Sequence, residues 1–182
     1  MKKVFVFLAE GFEESEAVLP IDILRRAGIS VQTVSVTGNR IVTGAHQIPV
    51  QADLLFEEGN FSEGEMLVLP GGMPGTRNLQ AHEGLAKLIF RYAEKGRYLA
   101  AICAAPLVYG QLGLLEGKKA ICYPGFENEL KDAVIIHDKV VRDGHFITSA
   151  GPGTAMQFGL TLAAILAGDE VAENVAKGML VK

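Results

Sequence analysis

The chain has 182 residues and a formal net charge of −4; 49% of its residues are hydrophobic and 21% are charged. This composition is typical of a globular protein rather than a disordered one. The negative balance provides no basic field to bind nucleic acid or an anionic membrane surface, so we expect neither as a partner.

Short apolar runs alternate with longer amphipathic runs, which predicts an α/β fold in which helices cover both faces of a mostly parallel sheet. The strand candidates are nearly continuous apolar runs, as expected for strands buried on both faces: residues 4–9, 31–36, 66–69, 98–102 and 119–122. The helix candidates are residues 14–27, 78–94, 106–112, 155–167 and 171–180. Two further stretches, residues 41–50 and 135–149, are predicted to contain β structure, with a hairpin turn at Arg142-Asp143-Gly144-His145. No repeat or linker interrupts the pattern, so we predict a single domain over residues 1–182.

The start of the chain has some features of a signal peptide, because Lys2 and Lys3 precede an apolar run. That run is short and acidic residues follow it at once, which favours a first core strand. No apolar run approaches the roughly 20 residues that a membrane-spanning helix needs. The two cysteines, Cys103 and Cys122, are too few for a disulfide framework or a four-cysteine zinc site. We therefore expect a cytoplasmic protein.

Cys103 lies where a predicted strand runs directly into a predicted helix, in the sequence Ile102-Cys103-Ala104-Ala105-Pro106. A nucleophile at such a turn is presented at the carboxyl edge of the sheet, where open α/β sheets bind ligands. The N–H groups and dipole of the helix start are expected to lower the pKa of the thiol. An isolated cysteine is more often a small core residue, and we interpret Cys122, inside a strand candidate, in that way.

Two other segments are expected at the same edge. Gly71 and Gly72 follow a strand candidate, and paired glycines allow successive backbone N–H groups to face an anion or oxyanion. Glu16 lies in the first turn of a predicted helix and is followed by apolar residues, so its carboxyl should be partly buried. Beside a thiolate, burial and like charge would keep it protonated and make it an acid–base group near neutral pH. Acidic residues at a helix start are also common as simple dipole complements.

Four segments together resemble the DJ-1/ThiJ/PfpI superfamily, in particular the branch of the Parkinson-disease-linked protein deglycase and its bacterial relatives. They occur in the same order as that family's motifs and are Ala9-Glu10-Gly11-Phe12-Glu13-Glu14-Ser15-Glu16, Leu69-Pro70-Gly71-Gly72, Ala100-Ala101-Ile102-Cys103-Ala104 and Ser149-Ala150-Gly151-Pro152-Gly153-Thr154. The resemblance implies a flavodoxin-like fold and usually a homodimer. It also implies a reactive cysteine at Cys103 and a protonated glutamate at Glu16.

The resemblance further implies backbone donors at Gly72 and Ala104, and an arginine, here Arg26, that a partner subunit can bring to the pocket. Several family members have a histidine where this chain has Tyr123; a tyrosine can hydrogen-bond a substrate oxygen but does not titrate near neutral pH. The protease-like branch has a histidine directly after the cysteine, and Ala104 in that place makes a cysteine peptidase or amidase the less favoured interpretation.

The activities credited to the family are glyoxalase III activity, deglycation, oxidative-stress sensing and chaperone activity. The leading hypothesis from the sequence is a cysteine-dependent enzyme of stress protection that acts on a small reactive dicarbonyl or a glycation adduct and needs no metal or organic cofactor. The alternative is an oxidative-stress sensor or redox-regulated chaperone that uses the same thiol, because an accessible thiolate also oxidises readily.

Overall fold

A computed structural model describes residues 2–181, so residues 1 and 182 of the predicted domain lie outside the described residues. The strands are, in chain order, β1 (Lys3–Leu8), β2 (Ser30–Ser35), β3 (Ile41–Thr43), β4 (Pro49–Gln51), β5 (Leu54–Leu55), β6 (Met66–Leu69), β7 (Tyr98–Ile102), β8 (Lys119–Ala120), β9 (Val134–Ile135), β10 (Val140–Asp143) and β11 (Phe146–Ser149). The α-helices are α1 (Glu14–Arg26), α2 (Gly75–Ala81), α3 (Glu83–Glu94), α4 (Pro106–Gln111), α5 (Ala155–Ala167) and α6 (Asp169–Gly178).

The central sheet has seven strands in the order β10-β11-β7-β6-β1-β2-β5. All neighbouring pairs are parallel except β10 and β11, which form an antiparallel hairpin. Every residue of β6 is buried, as are all residues of β1 after the first. Strands buried on both faces need cover on both, which is why their sequences are continuously apolar. The α/β fold predicted from the sequence is confirmed.

The helices form two groups around the sheet. In one group α5 packs against both α1 and α6, and in the other α2 contacts both α3 and α4. Most of the buried apolar side chains belong to one continuous cluster that joins the helices to the strands. Among the helices of residues 2–181, none combines the length and the apolar character needed to cross a lipid bilayer.

The structure corrects the prediction of one helix over residues 78–94. The chain forms two helices there, α2 and α3, which meet at His82. His82 has an extended backbone (φ −82°, ψ 99°), and its Nδ1 atom accepts a hydrogen bond from the N–H of Leu85 at 3.0 Å. A histidine side chain therefore caps the second helix, a role that hydrophobic periodicity does not reveal.

The other differences concern short β segments. Of the predicted strand 119–122, only Lys119–Ala120 is extended, and it pairs with β9 in a separate two-stranded sheet. The predicted hairpin turn is confirmed, since Asp143 pairs with Phe146 across it. The second strand of that hairpin, β11, lies beside β7 in the central sheet, and its end is therefore next to Cys103.

Candidate active site

Three adjacent strands bring the parts of the candidate active site together. β7 ends immediately before Cys103, β6 ends shortly before Gly71, and β1 leads into the loop and helix that carry Glu16. Because β7, β6 and β1 are neighbours and parallel, their carboxyl ends share one edge of the sheet. This is the edge at which open α/β sheets bind ligands.

Cys103 lies at a tight turn between β7 and α4. Its φ of 64° is in the left-handed region, which an L-residue with a side chain occupies at a cost of about 1–3 kcal/mol. Two hydrogen bonds hold this backbone: the N–H of Cys103 donates to Ser149 O at 2.9 Å, and its carbonyl accepts from the N–H of Tyr123 at 2.8 Å. The residue is 9% exposed, so only a small part of it reaches solvent.

Gly71 and Gly72 form the wall of the site opposite the sulfur. A Cβ atom at Gly71 would lie 2.6 Å from Glu16 Oε2 and 2.7 Å from Cys103 Cβ, so no larger residue fits between these two side chains. Gly72 has a φ of 89°, and a Cβ there would clash with the backbone of Glu13. The two glycines therefore allow the backbone to approach Cys103, Glu16 and Glu13 closely.

Glu16 is fully buried in the first turn of α1. Its Oε2 atom accepts a hydrogen bond from the N–H of Gly71 at 2.9 Å, whereas Oε1 has no hydrogen-bond partner among the described residues. Burial raises the pKa of Glu16 from an ordinary value of 4.5 to about 7; the negative charge of Glu13 adds to this, and hydrogen bonds from Cys103 and Gly71 oppose it. The carboxyl can therefore gain or lose a proton near neutral pH, as an acid–base group must.

The thiol of Cys103 interacts with both Glu16 and the backbone. Burial, and then the charge of Glu16, raise the pKa of Cys103 to about 12, while the N–H groups of Ala104 and Gly72 lower it. The sequence predicted a lowered pKa because the helix start was counted and burial was not. That expectation was wrong: with Glu16 ionised, burial and the carboxylate outweigh the two backbone donors.

Of the other predicted site residues, Ala104 and Tyr123 lie near Cys103, whereas Arg26 does not. Ala104 is buried beside the sulfur, and Tyr123 is 47% exposed with its ring packed against Gly151. Arg26 is the last residue of α1, about 15 Å along the helix from Glu16, and forms a surface ion pair with Asp22 at 2.8 Å. Within one subunit, Arg26 is therefore separate from the site.

Glu13 is a site residue that the sequence reasoning missed. It caps α1, because its Oε2 accepts from the N–H of Glu16 at 2.7 Å. Its own N–H donates to Gly71 O at 2.9 Å. Glu13 thus fixes both the helix that carries Glu16 and the glycine loop that faces the sulfur. The available signal was its place at the N-terminus of the helix, where acidic side chains commonly cap.

Glu13, Glu14 and His46 also bring ligand atoms within 4.8 Å of one another, as a cation site would require. The protein's own hydrogen bonds already occupy these atoms, however. Both oxygens of Glu14 accept from His46, one from its backbone N–H at 2.7 Å and one from its ring at 2.8 Å. This cluster is explained as a clamp between α1 and the β3–β4 hairpin.

Comparison with known proteins agrees with this geometry. The family model described as the DJ-1/PfpI family matches residues 2–165. The chain belongs to the DJ-1/PfpI family. The resemblance predicted from the four sequence motifs is confirmed.

Two relatives within the DJ-1/PfpI family illustrate its range. Protein DJ-1 homolog B of Arabidopsis thaliana is 42% identical over 100% of this chain, which covers 42% of that protein. A protein of Pyrococcus abyssi that is named a deglycase is 31% identical over 83% of this chain and 91% of its own length. The present chain spans less than half the length of the two Arabidopsis relatives that it matches.

Solved structures of DJ-1 proteins have the same fold. A cysteine-to-alanine mutant of a DJ-1 superfamily protein from Salmonella typhimurium superposes with a TM-score of 0.96 at 36% identity, over 100% of both chains. Oxidized Toxoplasma gondii DJ-1 superposes with a TM-score of 0.95 at 35% identity, over 99% of this chain and 98% of that one. These similarities establish the flavodoxin-like α/β fold.

Proposed function

We propose that this protein is a cysteine-dependent enzyme of stress protection that acts on small reactive dicarbonyls or glycation adducts. The observation that carries the proposal is the convergence of three groups on the sulfur of Cys103. These are the buried carboxyl of Glu16 and the backbone N–H groups of Gly72 and Ala104. The P. abyssi relative named a deglycase supports the same reaction class.

The reactive state is a thiolate beside a protonated Glu16. The two groups lie too close to be ionised together, so they share one proton and titrate as a pair. When Glu16 holds that proton, burial still raises the pKa of Cys103, but the charge of Glu16 no longer does, and the N–H groups of Ala104 and Gly72 lower it. The Oε1 atom of Glu16, which lacks another partner, is then available as an O–H donor toward the sulfur.

Each step with methylglyoxal follows from these positions. The thiolate of Cys103 adds to the aldehyde carbon, and the N–H groups of Gly72 and Ala104 stabilise the resulting oxyanion. Glu16 donates its proton to that oxygen, which gives a hemithioacetal and leaves Glu16 as a carboxylate able to act as a base. Glu16 removes the proton from the former aldehyde carbon and returns one to the neighbouring carbon, which leaves a thioester. Water hydrolyses the thioester, releasing lactate and the free thiol, so the balance is one water consumed per dicarbonyl.

Lactate formation from methylglyoxal tests the proposal. Wild type should turn over, and Cys103→Ser should not exceed the protein-free buffer rate. Glu16→Gln should lower turnover by at least about 100-fold, typical of losing an acid–base group. Cys122→Ser is the matched control, because Cys122 is also buried and burial also raises the pKa of its thiol. This variant should form lactate at the wild-type rate. Turnover that survives Cys103→Ser would contradict the proposal.

A redox sensor is the second candidate, favoured by the similarity to oxidized T. gondii DJ-1 and by the buried acid next to the sulfur. Peroxide would oxidise the Cys103 thiolate to a sulfenic and then a sulfinic acid, with Glu16 donating a hydrogen bond to the new oxygen. If Glu16→Gln leaves both peroxide oxidation of Cys103 and dicarbonyl turnover nearly unchanged, the proton-transfer role fails and the sensor becomes the leading function.

A further inference from the structure

A second concentration of charge lies at the opposite edge of the sheet from the candidate active site. Two adjoining pockets open there, with volumes of about 200 and 610 Å³, and both are lined by Lys95 and Arg97. Arg91 also lines the smaller pocket, and Arg142 and His145 line the larger one. We call these two pockets together the amino-edge groove, because they lie at the amino ends of the parallel strands.

The cations of this groove have no carboxylate partner in the part of the chain that the structure describes. Among residues 2–181, the ion pairs involve other basic side chains and none includes Arg91, Lys95, Arg97 or Arg142. A single carboxylate, that of Glu65, lines the groove. Four like charges with one opposing charge repel one another and attract anions from solution, even though the whole chain is acidic.

Two of the guanidinium groups are held in place by aromatic rings. Arg97 stacks 5.3 Å from the ring centroid of Tyr92 and donates one Nη1 hydrogen bond to Ser62 O at 2.6 Å. Arg142 lies 5.6 Å from the ring centroid of Tyr98. Arg142 also donates a hydrogen bond from Nε to Gly144 O at 3.2 Å. Stacking orients each guanidinium, and its remaining N–H donors suit bidentate binding of an oxyanion.

His145 adds a further polar group beside the groove. Its ring packs on Phe146 with centroids 4.4 Å apart, and its buried Nε2 atom has no hydrogen-bond partner among the described residues. Lys118 approaches the same Phe146 ring at 5.5 Å and so adds another positive charge nearby. Lys118 therefore adds positive potential at this end of the groove.

Helix stabilisation accounts for only part of this arrangement. Arg91 and Lys95 lie in the last turn and at the C-cap of α3, where cations offset the helix dipole. Arg142 faces them from β10, where no helix ends, so the dipole gives no reason for its position.

We propose that the amino-edge groove binds a small anion that carries phosphoryl groups, such as a phosphate ester or a polyphosphate, held by Arg97 and Arg142. Several cations around one carboxylate call for a ligand with more than one negative charge, and the planar guanidinium matches phosphoryl oxygens in pairs. The pocket volumes suit a small molecule better than an extended chain.

Titration calorimetry of the full chain with inorganic pyrophosphate tests the proposal. Wild type should bind at one site, and Arg97→Gln and Arg142→Gln should each weaken binding by at least about tenfold, as expected for loss of a charge-assisted contact. Arg40→Gln is the control: it removes the same charge from an arginine that is paired with Glu58 and does not line the groove, and should leave the affinity unchanged.

Three results would overturn the proposal. One is no binding of millimolar pyrophosphate to wild type, and another is an equal loss in Arg40→Gln, which would show that only net charge matters. The third is tighter binding of a polyglutamate peptide than of pyrophosphate. Arg97 also donates a hydrogen bond to Ser62 O, so Arg97→Gln could fail to fold. In that case the result for Arg142→Gln decides the test, because Arg142 is exposed. The readout is independent of Cys103 chemistry, so its failure would not count against the proposed enzyme activity.

Discussion

The chemistry of the candidate site is concentrated in one buried carboxyl. Glu16 has no access to solvent; its Oε2 atom accepts a hydrogen bond from Gly71, and its Oε1 atom has no partner among the described residues. Burial raises the pKa of Glu16 to about 7, and the neighbouring Glu13 carboxylate raises it further. Ionising such a group lowers the free energy of unfolding. The protonation of Glu16 can therefore be followed without substrate, from how the stability of the protein depends on pH.

Glu16→Gln should change how stability depends on pH. In the folded protein the pKa of Glu16 is raised, so the fold holds an extra proton between about pH 4.5 and 7 and the free energy of unfolding falls as pH rises through that window. The shift corresponds to about 3 kcal/mol. The stability of Glu16→Gln relative to wild type should therefore rise by up to about that amount between acidic and mildly alkaline pH, as measured by urea unfolding.

Glu13→Gln provides a control for this measurement. It keeps an oxygen that can cap α1 but removes the charge that adds to the pKa of Glu16. The folded-state pKa of Glu16 should then be lower, so the loss of stability with rising pH should end at a lower pH, and be smaller, than in wild type. Parallel pH profiles for wild type and Glu16→Gln would show that Glu16 has no raised pKa, and the acid–base role would lose its basis.

At the scale of elements, the position of Glu16 depends on how α1 packs against α5. Gly159 of α5 lies at that contact, where an added Cβ would come 2.6 Å from Ile23 Cδ1 and 3.1 Å from Pro20 Cα. Helices approach this closely only where one of them lacks a side chain. The glycine of α5 thus helps to set the depth at which α1 lies on the sheet.

Gly159→Ala should therefore destabilise the protein. Overpacking of this kind costs about 1–3 kcal/mol, and the better helix propensity of alanine offsets up to about 1 kcal/mol of it. Gly178→Ala in α6 is the matched control, because an added Cβ there meets nothing within 4 Å. Urea unfolding of the two variants measures the difference. If Gly159→Ala is as stable as Gly178→Ala or more stable, α1 and α5 can move apart to accept the added Cβ without cost.

At the scale of the whole molecule, two neighbouring elements carry exposed apolar side chains on one surface, where we expect a second subunit to bind. Val18 and Ile48 are exposed apolar side chains, and Glu14 joins their elements through hydrogen bonds to the β3–β4 hairpin. Arg26 lies about 12 Å beyond Val18 along α1 and about 80° around the helix axis, so a partner that covers Val18 and extends along this side of the helix also meets Arg26. The homodimer expected from the sequence would therefore form through the surface around Val18 and Ile48.

We predict a homodimer at micromolar concentration that Val18→Glu dissociates, since a charge would be buried in the apolar contact. Sedimentation velocity of wild type and variant measures this. Phe90→Glu changes a comparably exposed apolar residue on α3 and should leave the dimer intact. A wild-type monomer that still turns over dicarbonyl would exclude any need for the partner's Arg26 at the site.

The sequence by itself determined the class of fold and most of the site. Continuous apolar runs are required wherever a strand is buried on both faces, so β1, β6 and β7 could be predicted closely. The carboxyl ends of parallel strands share an edge, so Cys103, Glu16 and the glycine loop could be expected together before any coordinates were known.

Only the tertiary structure decided the features that depend on contacts between distant segments. The break at His82 comes from a side-chain cap, and the place of β11 beside β7 comes from a pairing that local pattern does not encode. The pKa of the Cys103 thiol is the clearest case, because a helix start can be seen in sequence whereas burial and the approach of Glu16 cannot. Local residue order sets which groups reach the sheet edge, but the free energy of a charge there depends on everything packed around it.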